Sequence, residues 1–394
     1  MSIRTTTTIG TRPTLSVSSQ HQSDRSLLTD LFASYYSARA NKRNTASQMK
    51  FEAHLSRNLI SLYEEVRDRT YSPGRSICFI IRDPVQREVF AASFHDRIIH
   101  HYLFNKLEPL FEPTFIYDSY SCRKGKGTLF GIERLEHHIR SCSENGQTPC
   151  YVLKMDISGY FMNIDKLILN DIIMERLERL RIQECLPEAF DFDTVVFLLN
   201  KVIFNDPTRG CRVKGKRSDW KGLPDSKSLF KAAPGCGLPI GNLTSQLFSN
   251  IYLNGLDQFC KRDLGFRHYG RYVDDFYLVD DSRERLEGAV VLIEDFLRTR
   301  LHLSVNAHKT QIISCNCGVP FLGAIVCPNG RFLRSRTRRH LDRHWTEVLC
   351  TEPNPYVLQS VRDAHDGFLK HFSGDRPQAC RNTSAFCCRS HQFG

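Results

Sequence analysis

Two places in the sequence carry acids where a divalent cation could be held. One is Tyr272-Val273-Asp274-Asp275, flanked on both sides by apolar, strand-like segments. Adjacent acids between two apolar strands occupy a hairpin turn, held rigidly at the edge of a sheet. An Asp-Asp turn is common, so this tetrapeptide alone says little. The other place is Asp156, which ends the apolar run YVLKM and is followed by Ile157, Ser158, Gly159, Tyr160 and Phe161. A carboxylate at a strand end, with small residues and then an aromatic, can hold a metal beside a nucleotide pocket. Two strands that deliver Asp156, Asp274 and Asp275 to one point fit a two-metal site for phosphoryl transfer. The expected ions are two Mg2+, with Mn2+ as a substitute, and Ile157 is counted with Asp156 in the metal site.

The elements that must position these acids follow from the apolar pattern. Amphipathic helices are predicted over about 27–39 and 47–68, and Ser72-Pro73-Gly74 then breaks the chain. Strands at 76–82 and 86–91, turning at Asp83-Pro84, make a hairpin. A helix follows from about 94 to 111, then a Gly/Lys/Arg-rich loop at 113–127 and a helix to about 140. YVLKMDI (151–157) is a strand, and 165–204 is helical. Residues 205–237 form a basic, Gly/Pro-rich excursion carrying Arg209, Arg212, Lys214, Lys216, Arg217 and Trp220, which suits RNA or a protein equally. A helix at 241–263 precedes the Asp-Asp hairpin. A helix at 282–300 leads to strands near 303–305, 310–313 and 320–326. From Arg331 onward the chain is very basic and predicted helical. Interleaved strands and helices indicate an α+β fold.

The 394 residues suffice for two or three subdomains. The net charge of +11 points to a polyanionic partner, since basic grooves displace counterions from phosphates. No apolar run reaches the ~18 residues a membrane span needs. The N-terminal stretch is polar, lacks a secretory signal, and is predicted disordered over residues 1–26. A cytoplasmic location with no membrane partner follows. The 15 cysteines, an odd number without a signal peptide, are read as free thiols. Neither Cys315, Cys317 and Cys327 nor Cys380, Cys387, Cys388 and His391 has paired C-x-x-C spacing, so structural zinc is not expected. His95, His100, His101, His137 and His138 lie on predicted helices without an acid cluster and are read as packed or solvent-facing.

Seven motifs in order resemble a reverse transcriptase. IIRDPVQREVF is similar to the fingers hairpin and DSYSCRKGKGT to the template-contacting loop. LKMDISGYF resembles the segment with the first catalytic Asp. LPIGNLTSQLFSN resembles the start of the helix behind the dNTP pocket, and RYVDDF the catalytic turn. LSVNAHKTQ resembles the segment with a nucleotide-facing Lys, and VPFLGAIV the primer-grip hairpin. The resemblance implies a right-hand polymerase. Fingers and palm would span 27–330, the palm an antiparallel sheet with helices on one face, and a short helical thumb would span 331–394. It makes Asp156, Asp274 and Asp275 catalytic and places Phe161 as the aromatic gate against a ribose 2′-hydroxyl. It assigns Arg87, Arg82, Ile240, Gly241, Gln246 and Lys309 to the nucleotide, with Arg75 a further triphosphate candidate. It assigns Arg123, Lys124, Lys126, Phe321, Leu322 and Gly323 to template and primer. The bland alternatives are a core Phe and solvated charges.

One motif narrows the family. Leu238-Pro239-Ile240-Gly241-Asn242-Leu243-Thr244-Ser245-Gln246 has Ile where most reverse transcriptases carry Gln before the Gly. The I-G-x-x-x-S-Q pattern resembles the reverse transcriptases of bacterial and phage diversity-generating retroelements. That resemblance implies cDNA synthesis with errors at template adenines, for rewriting a target gene. It also implies as partners dNTPs, a template RNA and its RNA–cDNA duplex, and a small basic accessory protein. The alternatives are a group II intron-like, retron or phage-defence enzyme and, in another class, an inactive RNA-binding scaffold.

Overall fold

The computed structural model describes residues 17–40, 44–83, 85–352 and 354–373, with side chains from residue 26 onward. The first helix, α1 (Val17–Arg39), begins ten residues before its expected start. Residues 17–26, within the stretch predicted to be disordered, are helical, and residues 1–16 of that stretch lie outside the described residues. Once Leu27, Leu31 and Tyr35 are buried, each added residue extends an existing helix at little cost, whereas starting one is expensive. The predicted helix 47–68 is two, α2 (Ala46–Glu52) and α3 (Leu55–Arg67).

Strands β1 (Ile77–Ile81) and β2 (Arg87–Ala91) form the expected antiparallel hairpin. Helix α4 (Phe94–Phe111) starts where Ser93 accepts from the Asp96 N–H at 3.1 Å, and α5 (Thr128–Cys142) follows the glycine-rich loop. Strand β3 (Tyr151–Asp156) is followed by α6 (Tyr160–Asn163), α7 (Lys166–Ile182) and α8 (Phe192–Ile203). The excursion contains a two-residue strand, β4 (Arg212–Val213), paired parallel to β1, and short single turns. Then come α9 (Leu243–Gln258), running on through a π-helical turn to Asp263, and strands β5 (His268–Tyr272) and β6 (Asp275–Asp280). Helix α10 (Arg283–Arg300) leads to β7 (Gln311–Ser314), β8 (Val319–Phe321) and β9 (Ala324–Cys327). The strand predicted at 303–305 is only a single bridge between Val305 and Ile157.

The predicted boundary at 330/331 falls inside strand β10 (Gly330–Leu333), which pairs with β9. Phe332 is buried there, and helices α11 (Ser335–Thr351) and α12 (Pro355–Leu369) start only after it. The two halves of the predicted strand 320–326 are split at Leu322 (φ 45°) and Gly323 (φ 86°), the turn of a hairpin.

The central sheet runs β5-β6-β3-β7 and is antiparallel throughout. Its period of two sorts the side chains. Leu153, Met155, Phe276 and Leu278 point into the main core with Ile251, Leu286, Ile293 and Leu297 of α9 and α10. Val152, Tyr277 and Val279 point the other way, onto Ile132, Leu135 and Ile139 of α5 and onto β8 and β9. Helices therefore cover both faces rather than one, because Val152, Tyr277 and Val279 make the second face apolar as well. Toward the Asp-Asp turn that second face carries Lys154, Asp156 and Asp275 instead.

Candidate active site

Asp156 and Asp275 are direct cross-strand partners, at the ends of β3 and β6. Tyr272 pairs with Asp275, so Val273 and Asp274 form a two-residue turn. Val273 sits at φ 57°, a strained place for a β-branched residue. Its carbonyl accepts from Arg271 Nη1 at 2.9 Å. Arg271 is fully buried and bound through two nitrogens to Asp257, at 2.7 and 2.6 Å, while the Tyr269 hydroxyl donates to the same carboxylate at 2.7 Å. This buried pair, anchored on α9, holds the turn in its strained shape. The sequence reading passed over Arg271 and Asp257. The available signal was a charged residue two positions before the Asp-Asp turn, inside the strand that leads to it.

The electrostatics place the three acids in each other's fields. Burial, then the charge of Asp156, pushes the Asp274 carboxyl up to about 6. Burial also raises Asp275, against the pull of Lys154 at 3.4 Å and with the push of Asp156. Lys309 Nζ donates to Asp156 Oδ2 at 2.8 Å. Burial opposes its charge, but the bond to Asp156 overrides that and raises its pKa. The Ile157 N–H donates to the Asp274 carbonyl at 3.3 Å, which locks the two strand ends together. Lys154 is a third residue missed from sequence, although it lies two before Asp156 and so shares its face. Among the described residues no three His, Cys, Asp or Glu side chains are already gathered into a metal cage. The donor chemistry still fits a hard divalent cation. It consists of carboxylate oxygens of unlike strands, mutually repelling, each of which a dication would relieve.

The structure brings Phe161 and Ile240 together. Leu238 N–H donates to the Phe161 carbonyl at 2.8 Å, and both side chains, each half-buried, pack on one small cluster of Cys78, Phe90, Met162 and Leu229. The Phe90 N–H donates to the Ile240 carbonyl at 2.9 Å. Gly241, at φ 123°, cannot carry a side chain, since a Cβ would stand 2.8 Å from Val89 Cγ1. Arg87 alternates with the buried Glu88 and so shares the Val89 face of β2, toward Gly241. Gln246 is exposed near the start of α9.

Other expected contacts are redirected. Arg82 pairs with Asp219 of the excursion at 2.7 Å, and Arg75 lines an open cleft with Pro73, Asn205 and Arg209. Arg123 turns inward to Glu112 and the carbonyls of Ile116 and Ser119, because the loop's own oxygens need a donor. Lys126 donates to the Tyr117 carbonyl beneath the Tyr117 and Phe130 rings, and burial with the Arg123 charge pushes it down to about 8. Lys124 alone of the three is exposed. Phe321 is buried under Tyr277, with Lys154 Nζ 5.7 Å from its ring, so it anchors the β8–β9 hairpin rather than reaching outward. Leu322 and Gly323 form the tip. His100 bonds Thr244 at 2.7 Å and His138 bonds Tyr277 at 3.1 Å, as packed histidines. Cys380, Cys387, Cys388 and His391 lie outside the described residues, and no described helix is long and apolar enough to cross a membrane.

An antiparallel sheet that presents paired acids at one end, beside the half-buried ring of Phe161 and the β1–β2 hairpin, has the make-up of the palm of a nucleic-acid polymerase. Residues 86–326 match the family described as reverse transcriptase (RNA-dependent DNA polymerase). The match spans more than half of the sequence, and the chain belongs to that family. Protein YkfC of Escherichia coli (strain K12) is 23% identical over 324 residues, which is 73% of this chain and 74% of that protein. Among solved structures, telomerase from Candida albicans in complex with a fragment of telomeric RNA is 13% identical with a TM-score of 0.45, over 80% of this chain. Apo telomerase from Candida tropicalis, truncated from its C-terminal domain, is 14% identical with a TM-score of 0.44, over 70% of this chain. The chain spans 58% and 59% of the length of those two telomerase chains.

Proposed function

We propose that this protein is an RNA-directed DNA polymerase that adds dNMP to a primer 3′-hydroxyl on an RNA template, in the setting of a diversity-generating retroelement. Membership of the reverse transcriptase family supports the activity. The observation that carries it is the register that sets Asp156 against Asp275 beside the Asp274 turn. Asp156, Asp274 and Asp275 would hold two Mg2+, or Mn2+, with Ile157 locking the strand ends. When bound, the ions would lower the pKa of the 3′-hydroxyl and neutralise the leaving pyrophosphate. Lys309 steadies Asp156 and stands where an incoming phosphate would meet a cation. Arg87 offers its charge from the fingers side, and Phe161 excludes a 2′-hydroxyl. The exposed Arg334, Arg336, Arg338, Arg339 and Arg343, leading into and along α11, suit the backbone of a template–product duplex.

The retroelement setting rests on Ile240 and Gln246. Ile240 offers the incoming nucleotide no donor or acceptor where a Gln would, so base pairing and stacking must discriminate alone. A dedicated template RNA and a small basic accessory protein would complete the system in the cytoplasm. The test is primer extension with dNTPs and Mg2+ on an RNA template, followed by sequencing of the cDNA. Errors concentrated opposite adenine support the retroelement. Accurate cDNA leaves a retron-, intron- or defence-type enzyme, and no product leaves an RNA-binding scaffold.

A further inference from the structure

The excursion 205–237 has almost no regular structure of its own, yet it is fastened at both ends and at its crown. Its feet meet on the first residue of α7. The Lys166 ammonium donates to the Asn205 carbonyl at 2.7 Å, and the Lys166 N–H donates to the Gly235 carbonyl at 3.0 Å. Its crown is fastened to β2. There Glu88, 1% exposed, accepts from three donors of the excursion: Trp220 Nε1 at 2.7 Å, Ser228 Oγ at 3.0 Å and the Leu229 N–H at 2.6 Å. A buried carboxylate is costly unless its oxygens are satisfied, and all three partners here are neutral donors. An apolar residue would fill this space more cheaply, but only an acceptor with two oxygens fixes the loop's orientation. Gln86 adds a bond from its amide to the Asp219 carbonyl at 2.8 Å.

What the crown touches gives this fastening its meaning. Leu229 and Trp220 pack in the same cluster as Phe161 and Ile240. The Ser226 carbonyl leaves no room for a side chain on Gly159, the residue just before α6, since a Cβ there would stand 2.7 Å from it. On β2 the neighbours of Glu88, Arg87 and Val89, project to the opposite face, toward Gly241. One carboxylate thus links the strand that carries Arg87 to the loop that backs Phe161 and Ile240.

We propose that Glu88 is a positioning residue for the incoming dNTP, clamping the excursion to β2 so that Arg87 stands at a fixed distance from Phe161 and Ile240. The excursion is then a wall of the nucleotide pocket rather than an appendage. This rests on the polymerase reading, and the experiment separates the two. Steady-state extension of an annealed primer on an RNA template is measured with the full-length protein, Glu88→Gln and the milder Trp220→Phe, for dNTPs and for rNTPs. Glu88→Gln places an amide N–H2 against N–H and O–H donors. It should raise KM for dNTP about tenfold, as expected for lost hydrogen bonds to a charged group, with kcat at saturating dNTP retained. Trp220→Phe, which removes one donor, should raise it about threefold. Both should lower the preference for dNTP over rNTP, while affinity for primer–template stays at the wild-type value. Folded variants with wild-type KM and wild-type sugar preference would overturn the proposal, as would a fall in kcat with KM unchanged. If Glu88→Gln does not fold, Trp220→Phe decides alone. A wild-type protein that makes no cDNA would instead remove the polymerase reading, and the role of Glu88 with it.

Discussion

The proposed nucleotide pocket draws on two regions of opposite construction. On the palm side, the acids sit at the ends of strands whose register is fixed by an apolar sheet and by the buried Arg271–Asp257 pair. On the fingers side, the excursion has one two-residue strand and is held by polar contacts to residues more than 130 positions away in sequence, such as Trp220 to Glu88. The palm is made of local pattern and the excursion of tertiary contact. The first must hold charges that repel one another, which demands rigidity. The second must fix the shape of the pocket, which a few directed hydrogen bonds can do.

If the palm is the chemical side, breaking it should have the largest effect. Asp156→Asn keeps size but removes the charge that would hold a cation. cDNA synthesis should fall by orders of magnitude with RNA affinity little changed, because that affinity rests on cations elsewhere. Near-normal extension by this variant would put the chemistry somewhere other than Asp156.

Next comes the support beneath the turn. Asp257→Asn leaves Arg271 buried beside a weaker partner. Removing one member of a buried pair costs ~3–5 kcal/mol, so urea denaturation should show a loss at the lower end of that range. Extension should drop as Val273 and Asp274 lose their anchor. A variant as stable and as active as wild type would mean that the turn holds its own shape.

The contrast also explains what the sequence made legible. The helix at 94–111, the hairpin around Asp83 and the acids at 156, 274 and 275 all follow from short-range periodicity and turn chemistry. The fate of Arg123 did not. Its neighbours Gly125 and Lys124 suggest an open basic loop, but Glu112 and two carbonyls within the same loop claim its guanidinium. Arg82 is likewise claimed by Asp219, far along the chain. Charge in a sequence does not say which carboxylate folds back to meet it. Glu88 is a third case: the sequence analysis assigns it no role, and its burial depends on partners in a segment with no pattern to announce it.

A smaller effect should appear at the seam between the two regions. Phe161→Ala opens space beside the sugar, and the ratio of ribonucleotide to deoxynucleotide incorporation should rise measurably. An unchanged ratio would reduce Phe161 to a packing residue of the Phe90–Leu229 cluster.

The smallest change is expected at Ile240. Ile240→Gln restores a hydrogen-bonding group beside the incoming nucleotide. One hydrogen bond supplies ~1 kcal/mol, so errors opposite template adenine should fall by up to about tenfold, with less change opposite other bases. Sequenced cDNA from the same RNA, scored by template base, gives the answer. Frequent adenine errors that match in mutant and wild type would clear Ile240 of the effect.

The central claim is that the Asp-Asp turn and Asp156 make this chain an RNA-directed DNA polymerase. Wild type and Asp274→Asn, purified alike, should be given one annealed RNA template and DNA primer, the four dNTPs and Mg2+. Wild type should extend the primer into cDNA and Asp274→Asn should yield almost none while still binding the RNA. Equal extension by both, or none by wild type under Mg2+ or Mn2+, would contradict the account.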